Sequence, residues 1–219
     1  MKKSKYNIFM VGYSPSYACW FPLPYEIVTD PRKADIAWWI GGADIDCKAI
    51  TGEKVGSHTY IDPRSSKEEI AGWEYFKDKN VFKVGTCKGH QNLACFSGAK
   101  IIQHSRHPHI HPIITKEGKE IECVSLHHQQ ILVDEKYTGL KENKDYELIG
   151  WTEKLSPFHL NGEDEDYSFP LDYKEPEIIW FPKTKSFGVQ SHPEMMGGST
   201  QFVKYCQKNL LEKLKECNF

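Results

Sequence analysis

Apolar positions along this chain fall into short, nearly unbroken runs, and two further stretches repeat with a helical period. The runs Tyr6–Val11, Glu26–Thr29, Asp35–Ile40, Val81–Val84, Lys100–Gln103, Glu120–Ser125, Glu177–Phe181 and Phe187–Gln190 predict strands. Several show little alternation, the pattern of strands covered on both faces. Ser66-Lys67-Glu68-Glu69 has the form of a capping box, with Ile70, Trp73 and Phe76 following on roughly one helix face. Val203, Cys206, Leu210 and Leu214 recur at helical spacing and predict an amphipathic closing helix. Strands interleaved with helices predict an α/β fold, a three-layer sandwich around a central, mostly parallel sheet. Residues 1–219 read as one domain. Thr152 to Glu175 breaks the pattern with Pro157, Gly162, Pro170 and the acidic run Glu163–Asp166, and reads as a surface insertion, either a solvated loop or a lid.

Composition narrows the partners. A formal charge of −2 and a pI near 6.6 give no electrostatic reason for nucleic-acid binding, and Lys and Arg are dispersed. The seven cysteines are irregularly spaced, without a CxxC pair or zinc ladder, which fits a reducing compartment. Met1-Lys2-Lys3-Ser4-Lys5 imitates a signal n-region, but the apolar run after it is short, polar at Asn7, and without a small-residue cleavage site. No apolar run approaches the ~20 residues needed to span a bilayer. A cytoplasmic protein with no membrane contact is expected.

The chemistry begins at Val84-Gly85-Thr86-Cys87-Lys88-Gly89-His90-Gln91. A predicted strand ends here and a helix-compatible stretch runs to Phe96, with Gly98 suited to the C′ position. Cysteine flanked by glycines at such a junction has the form of a nucleophile elbow, where larger flanking side chains would collide. The following helix N-terminus favours the thiolate. A thiolate nucleophile needs a base, and the base needs an orienting group. His192 follows an apolar strand, and Glu194 stands two residues on, across Pro193. If that segment is extended, the two side chains project the same way.

Gly85-x-Cys87-x-Gly89-x-Gln91 followed by His192-x-Glu194 resembles the class I glutamine amidotransferases. Trp38-Trp39-Ile40-Gly41-Gly42-Ala43-Asp44 is similar to that family's glycine loop. The resemblance implies that Cys87 attacks the side-chain amide of glutamine to form a γ-glutamyl thioester. It implies that His192 moves the proton and that Glu194 orients the imidazole. It also implies oxyanion donors at the Lys88 and Gly42 backbone N–H groups, and a substrate contact at Gln91. Ser125, Leu126 and His127 match the segment where the family binds the substrate's α-amino and α-carboxylate groups partly through backbone. The Ser125-x-His127-His128-Gln129 form is closest to the γ-glutamyl hydrolase branch. Asp62-Pro63-Arg64 before a helix and the histidine-rich stretch after Gly98 also look like that branch.

His104, His107, His109 and His111 suggest a metal, since His109 and His111 would share one face of a strand. No thiolate or carboxylate ligand motif accompanies them, so no metal and no cofactor is expected. Cys95, Cys206, Trp38 and Trp39 read as core. Family members usually carry a full helix between the first two strands. Here Gly12 to Tyr25 holds Pro15, Pro22 and Pro24 among Tyr13, Tyr17, Trp20 and Phe21, leaving room for little more than one turn. The shortening leaves a different surface there, an interface or an acceptor pocket. No pyrophosphatase loop, Walker A sequence or dinucleotide fingerprint is present. The leading expectation is a glutaminase subunit that hydrolyses glutamine and passes ammonia to a partner synthetase. Alternatives are a stand-alone γ-glutamyl hydrolase acting on γ-glutamyl amines and a non-catalytic binding protein on the same scaffold.

Overall fold

The computed structural model describes residues 5–105, 109–153, 158–160 and 173–219. Most of the expected insertion at 152–175, and His107, lie outside the described residues. The chain forms strands β1 (Tyr6–Val11), β2 (Tyr25–Val28) and β3 (Ile36–Trp39), then helices α1 (Cys47–Ile50) and α2 (Pro63–Phe76). Strand β4 (Phe82–Thr86), helix α3 (Lys88–Phe96), and strands β5 (Lys100–Ser105), β6 (Ile110–Thr115), β7 (Glu120–Val124) and β8 (Gln130–Leu132) follow. The rest is α4 (Glu135–Thr138), β9 (Glu147–Thr152), β10 (Phe158–Leu160), β11 (Glu175–Phe181), β12 (Ser186–Val189) and α5 (Gln201–Glu216).

Nine strands make one sheet in the order β2-β1-β3-β4-β12-β11-β9-β6-β7. The five from β2 to β12 are parallel, and β11, β9, β6 and β7 extend them antiparallel. A smaller sheet, β10-β5-β8, stands apart. This is the α/β architecture with a central, largely parallel sheet that the sequence predicts. Strand period 2 sends neighbouring tryptophans to opposite faces. Trp38 joins a core with Trp20, Phe82, Phe187 and the α5 stripe of Val203, Cys206, Leu210 and Leu214. Trp39 joins Val11, Phe76 and Leu93 beneath α2 and α3. Each fully buried large apolar side chain contributes about 1.5–3 kcal/mol relative to exposure, so both faces are firmly anchored.

Two local expectations change and one holds. Helix α2 starts earlier than the Ser66 pattern predicts: Asp62 caps it, accepting from Arg64 and Ser65 N–H groups, with Pro63 at the first helical position. Ser66 is buried inside the helix. Strands β6, β8 and β9 arise where the apolar pattern predicts none. The Gly12–Tyr25 stretch folds as the 3-10 turn Pro15–Trp20, matching the space available.

Candidate active site

Parallel pairing of β3, β4 and β12 brings three strand ends together, and everything chemical at this edge follows from that order. Beyond β4, Cys87 takes φ 54 and ψ −114 and caps α3. Such a conformation is strained for a residue with a Cβ and is concentrated at functional turns. The glycines let α3 seat directly on the sheet. A Cβ at Gly85 would lie 2.4 Å from Gly89 O, and one at Gly89 would lie 2.1 Å from Trp39 O. Cys87 N–H donates to Val189 O at 2.8 Å, locking the turn to β12. The thiol is buried, with 6% of the residue exposed.

Three residues past β12 stands His192. Its backbone N–H donates to Val124 O at 3.0 Å, and its Nδ1 meets Glu194 Oε1 at 2.6 Å. The segment does not stay extended as expected, because Pro193–Met195 turns as a 3-10 helix. The turn, not strand alternation, brings Glu194 to the imidazole. Cys87 stands close enough on the other side of the ring to favour its charged form, although Nε2 makes no hydrogen bond of ordinary geometry. Burial lowers the His192 pKa, but the proximity of Cys87 and the hydrogen bond and charge of Glu194 outweigh it and raise the value from 6.5 to about 10. The imidazole is therefore cationic at neutral pH. Unfolded it titrates near 6.5 and folded near 10. Its contribution to stability is thus complete below about 6.5 and is lost as pH rises through 10. Glu194→Gln removes one of the two supports, so the alkaline limb of any activity should move to lower pH, with roughly 10²-fold less turnover at neutrality. A pH–rate profile and a pH series of thermal midpoints check both halves, and unchanged profiles would refute the assignment.

The residues expected to hold an oxyanion adjoin one another. A Cβ at Gly42 would lie 3.7 Å from Lys88 Cδ, so the glycine loop sits over the residue after the nucleophile. The Lys88 side chain is buried, its Nζ 3.0 Å from Ser65 Oγ and 3.0 Å from Glu69 Oε1. This ion pair joins α2 to the start of α3. Removing one partner of a buried pair leaves an uncompensated charge. Glu69→Ala should destabilise the fold by about 3–5 kcal/mol, and Glu69→Leu with Lys88→Met should recover most of it in urea unfolding. The Lys88 backbone N–H remains in either variant.

Gln91 is buried, and its Nε2 donates to Gln129 O at 2.8 Å and Gln190 Oε1 at 3.1 Å. Its side-chain donors are engaged within the protein, linking α3 to the His127 segment. Ser125 is buried, and Leu126 is 47% exposed. The His127 ring sits at Gln129 O, with Nδ1 2.8 Å away.

The expected histidine cluster separates. His109 precedes β6 and is exposed, whereas His111 points into the core. His104 Nδ1 lies 3.2 Å from His128 Nδ1, and His128 Nε2 pairs with Asp44 at 3.0 Å. That hydrogen bond raises the His128 pKa against the effect of burial. A different set converges: donor atoms of His111, Cys123 and Glu177 all lie within 4.8 Å of one another. Such a set could hold a cation. Hydrogen bonds already join Glu177 Oε2 to Ser191 Oγ at 2.8 Å and Oε1 to His111 Nε2 at 3.3 Å, bracing the residue before His192. No sequence period signals this cluster, since its members come from β6, β7 and β11.

Tyr17 also reaches the site, although no motif places it there. Its ring centroid lies 6.4 Å from that of His192, and a Cβ at Gly41 would lie 2.6 Å from its hydroxyl. The aromatic, proline-broken segment is its only signal in the sequence.

Among the described residues no helix is long and apolar enough to cross a membrane. No protein-family model matches the chain, and no curated protein does. Solved structures do. A Thermoplasma acidophilum protein described as a GMP synthase subunit shares 15% identity over 97% of this chain and 96% of its own, at TM-score 0.58. A glutamine amidotransferase from Thermotoga maritima shares 11% over 98% and 86%, at TM-score 0.53. A glutamine amido transferase from Methylobacillus flagellatus shares 14% over 89% and 72%, at TM-score 0.50. The chain has the fold of these glutamine amidotransferases.

Proposed function

We propose that this protein is a glutamine amidotransferase subunit that hydrolyses the γ-amide of glutamine through a Cys87 thioester and passes the ammonia to a partner synthetase. One observation carries the reading: Cys87 on a strained turn at a helix N-terminus, facing an imidazole whose other nitrogen is 2.6 Å from Glu194. The Cys87 thiolate adds to the amide carbon, and the carbonyl electrons move to oxygen. Backbone N–H groups of Lys88 and Gly42 receive that oxyanion. Collapse expels ammonia, which takes its proton from the His192 imidazolium, and leaves the γ-glutamyl thioester. Neutral His192 then takes a proton from water as hydroxide attacks the thioester, and glutamate leaves with the thiolate restored.

The neighbour described as a GMP synthase subunit supports a synthetase as the ammonia acceptor, and these 219 residues carry no acceptor-activating motif. A second reading is supported by Ser125-Leu126-His127-His128-Gln129: a γ-glutamyl hydrolase that releases an amine to water. Glutamate release from glutamine and from γ-glutamyl amines separates the two, with a protein lacking the Cys87 sulfur as blank. Glutamine turnover that rises with a synthetase present supports the first. Strong turnover of γ-glutamyl amines alone supports the second. Silence on both, with no labelling of Cys87 by a glutamine-like chloroketone, would overturn both.

A further inference from the structure

Tyr17 is presented from a fixed base. In its turn Ala18 and Trp20 are buried, the Trp20 ring meets Trp38 edge-on at 5.2 Å, and Gln207 Nε2 of α5 donates to Trp20 O at 2.9 Å. From this base the hydroxyl end of the phenol meets the glycine loop. A Cβ at Gly41 would be 2.6 Å from Tyr17 Oη and 3.2 Å from Cε1 and Cζ.

An oxyanion donor is effective only when its direction is set before charge develops. Gly41-Gly42 has no side chains to set it, and two adjacent glycines are the most permissive backbone available. The φ and ψ of Gly41 set the direction of the next N–H, that of Gly42, and the contact of the Tyr17 hydroxyl and ring with Gly41 limits both torsions. We propose that Tyr17 is a positioning residue for the proposed hydrolysis, clamping Gly41 so that Gly42 N–H is held toward the oxyanion formed at Cys87. The clamp rests on that proposed activity. It also assigns a purpose to the shortened segment between β1 and β2, which carries the tyrosine. Burial, with the charges of Glu194 and Cys87, pushes the Tyr17 pKa up to about 12, so the phenol stays neutral.

Tyr17→Phe removes the oxygen and keeps the ring. Losing an oxyanion donor outright costs 10²–10³-fold in kcat, so loosening one should cost roughly tenfold, with KM changed less than about twofold. Iodoacetamide alkylates a thiolate by displacing iodide and forms no oxyanion. Its rate at Cys87, followed by peptide mass to exclude Cys19 and Cys217, should be unchanged. A loss of kcat matched by an equal loss of alkylation rate would place the effect on the thiolate and overturn the clamp, as would an unchanged kcat. The contact has its own readout. Gly41→Ala should lower the thermal midpoint much more in the wild type than in Tyr17→Phe, where the atom at 2.6 Å is gone. Additive shifts would overturn the contact. A wild type that turns over neither glutamine nor γ-glutamyl amines, yet shows a coupled cycle, would instead overturn the hydrolase reading and the catalytic meaning of the clamp.

Discussion

Cys87→Ala is expected to reduce glutamate release to background while the fold persists. Every bond-making step of the proposed reaction runs through the sulfur, so no residual covalent route remains. Stability should change little, for a specific reason. Alanine carries the same Cβ into the φ 54 turn, so backbone strain is unaltered, and the Cys87 N–H bond to Val189 O does not involve the side chain. Only one buried sulfur is lost, worth about 1 kcal/mol, a shift of a few degrees in thermal midpoint. His192 should respond as well. With the thiol gone, one support of its raised pKa disappears, and its titration, read by NMR, should move down from about 10. Appreciable turnover in this variant would sink the thioester mechanism. A collapse of the fold would show instead that the cysteine is structural.

The largest stability effect is expected at Gly89 on substitution by alanine. A methyl group there would sit 2.1 Å from Trp39 O, 2.5 Å from its carbonyl carbon and 2.8 Å from its Cβ. Two of those three atoms are backbone in a strand buried at every position, so nothing nearby can swing aside. Helix α3 must lift off β3, opening the core of Trp39, Phe76 and Leu93 and carrying Cys87 away from His192. The cost should exceed ~4 kcal/mol, the range reserved for overpacking and backbone conflict in a core. That is a large part of the roughly 5–15 kcal/mol by which domains are usually stable. Urea unfolding should show the loss, and any folded fraction should be inactive. Gly197→Ala is the control, since a Cβ there meets nothing within 4 Å, and it should be close to neutral. Equal effects at the two positions would refute the packing argument.

Much of the scaffold was legible because it is written in local patterns. Central strands such as β3 and β4 are buried at every position, and that burial demands the apolar runs that predict them. The edge of the sheet was harder. Strand β6 includes Pro112 and alternates His111, Ile113 and Thr115 inward with the exposed Ile110 and the half-buried Pro112 and Ile114, while β9 carries Gly150 where Ile113 crosses it. Proline and glycine weaken a local strand signal, and only pairing with neighbours restores it. The start of α2 shows two competing local rules. Both Ser66 and Asp62 can cap, and the Asp62-Pro63 pair prevailed because proline is pre-set for the first helical position.

For the site, the sequence by itself determined which atoms are chemically competent: a thiol between glycines, and an imidazole two residues from a carboxylate. Those are local facts of composition and turn sterics. Tertiary structure alone decided how they meet. The strand order β1-β3-β4-β12 sets the ends of four strands side by side, so Tyr17, Gly41, Cys87 and His192 converge from distant parts of the chain. The Glu194 contact depends on a 3-10 turn after His192, and the buried Glu177 brace on strands that pair across the sheet. No periodicity can encode such meetings, because they are set by which strands share hydrogen bonds and not by the spacing of residues along any one of them.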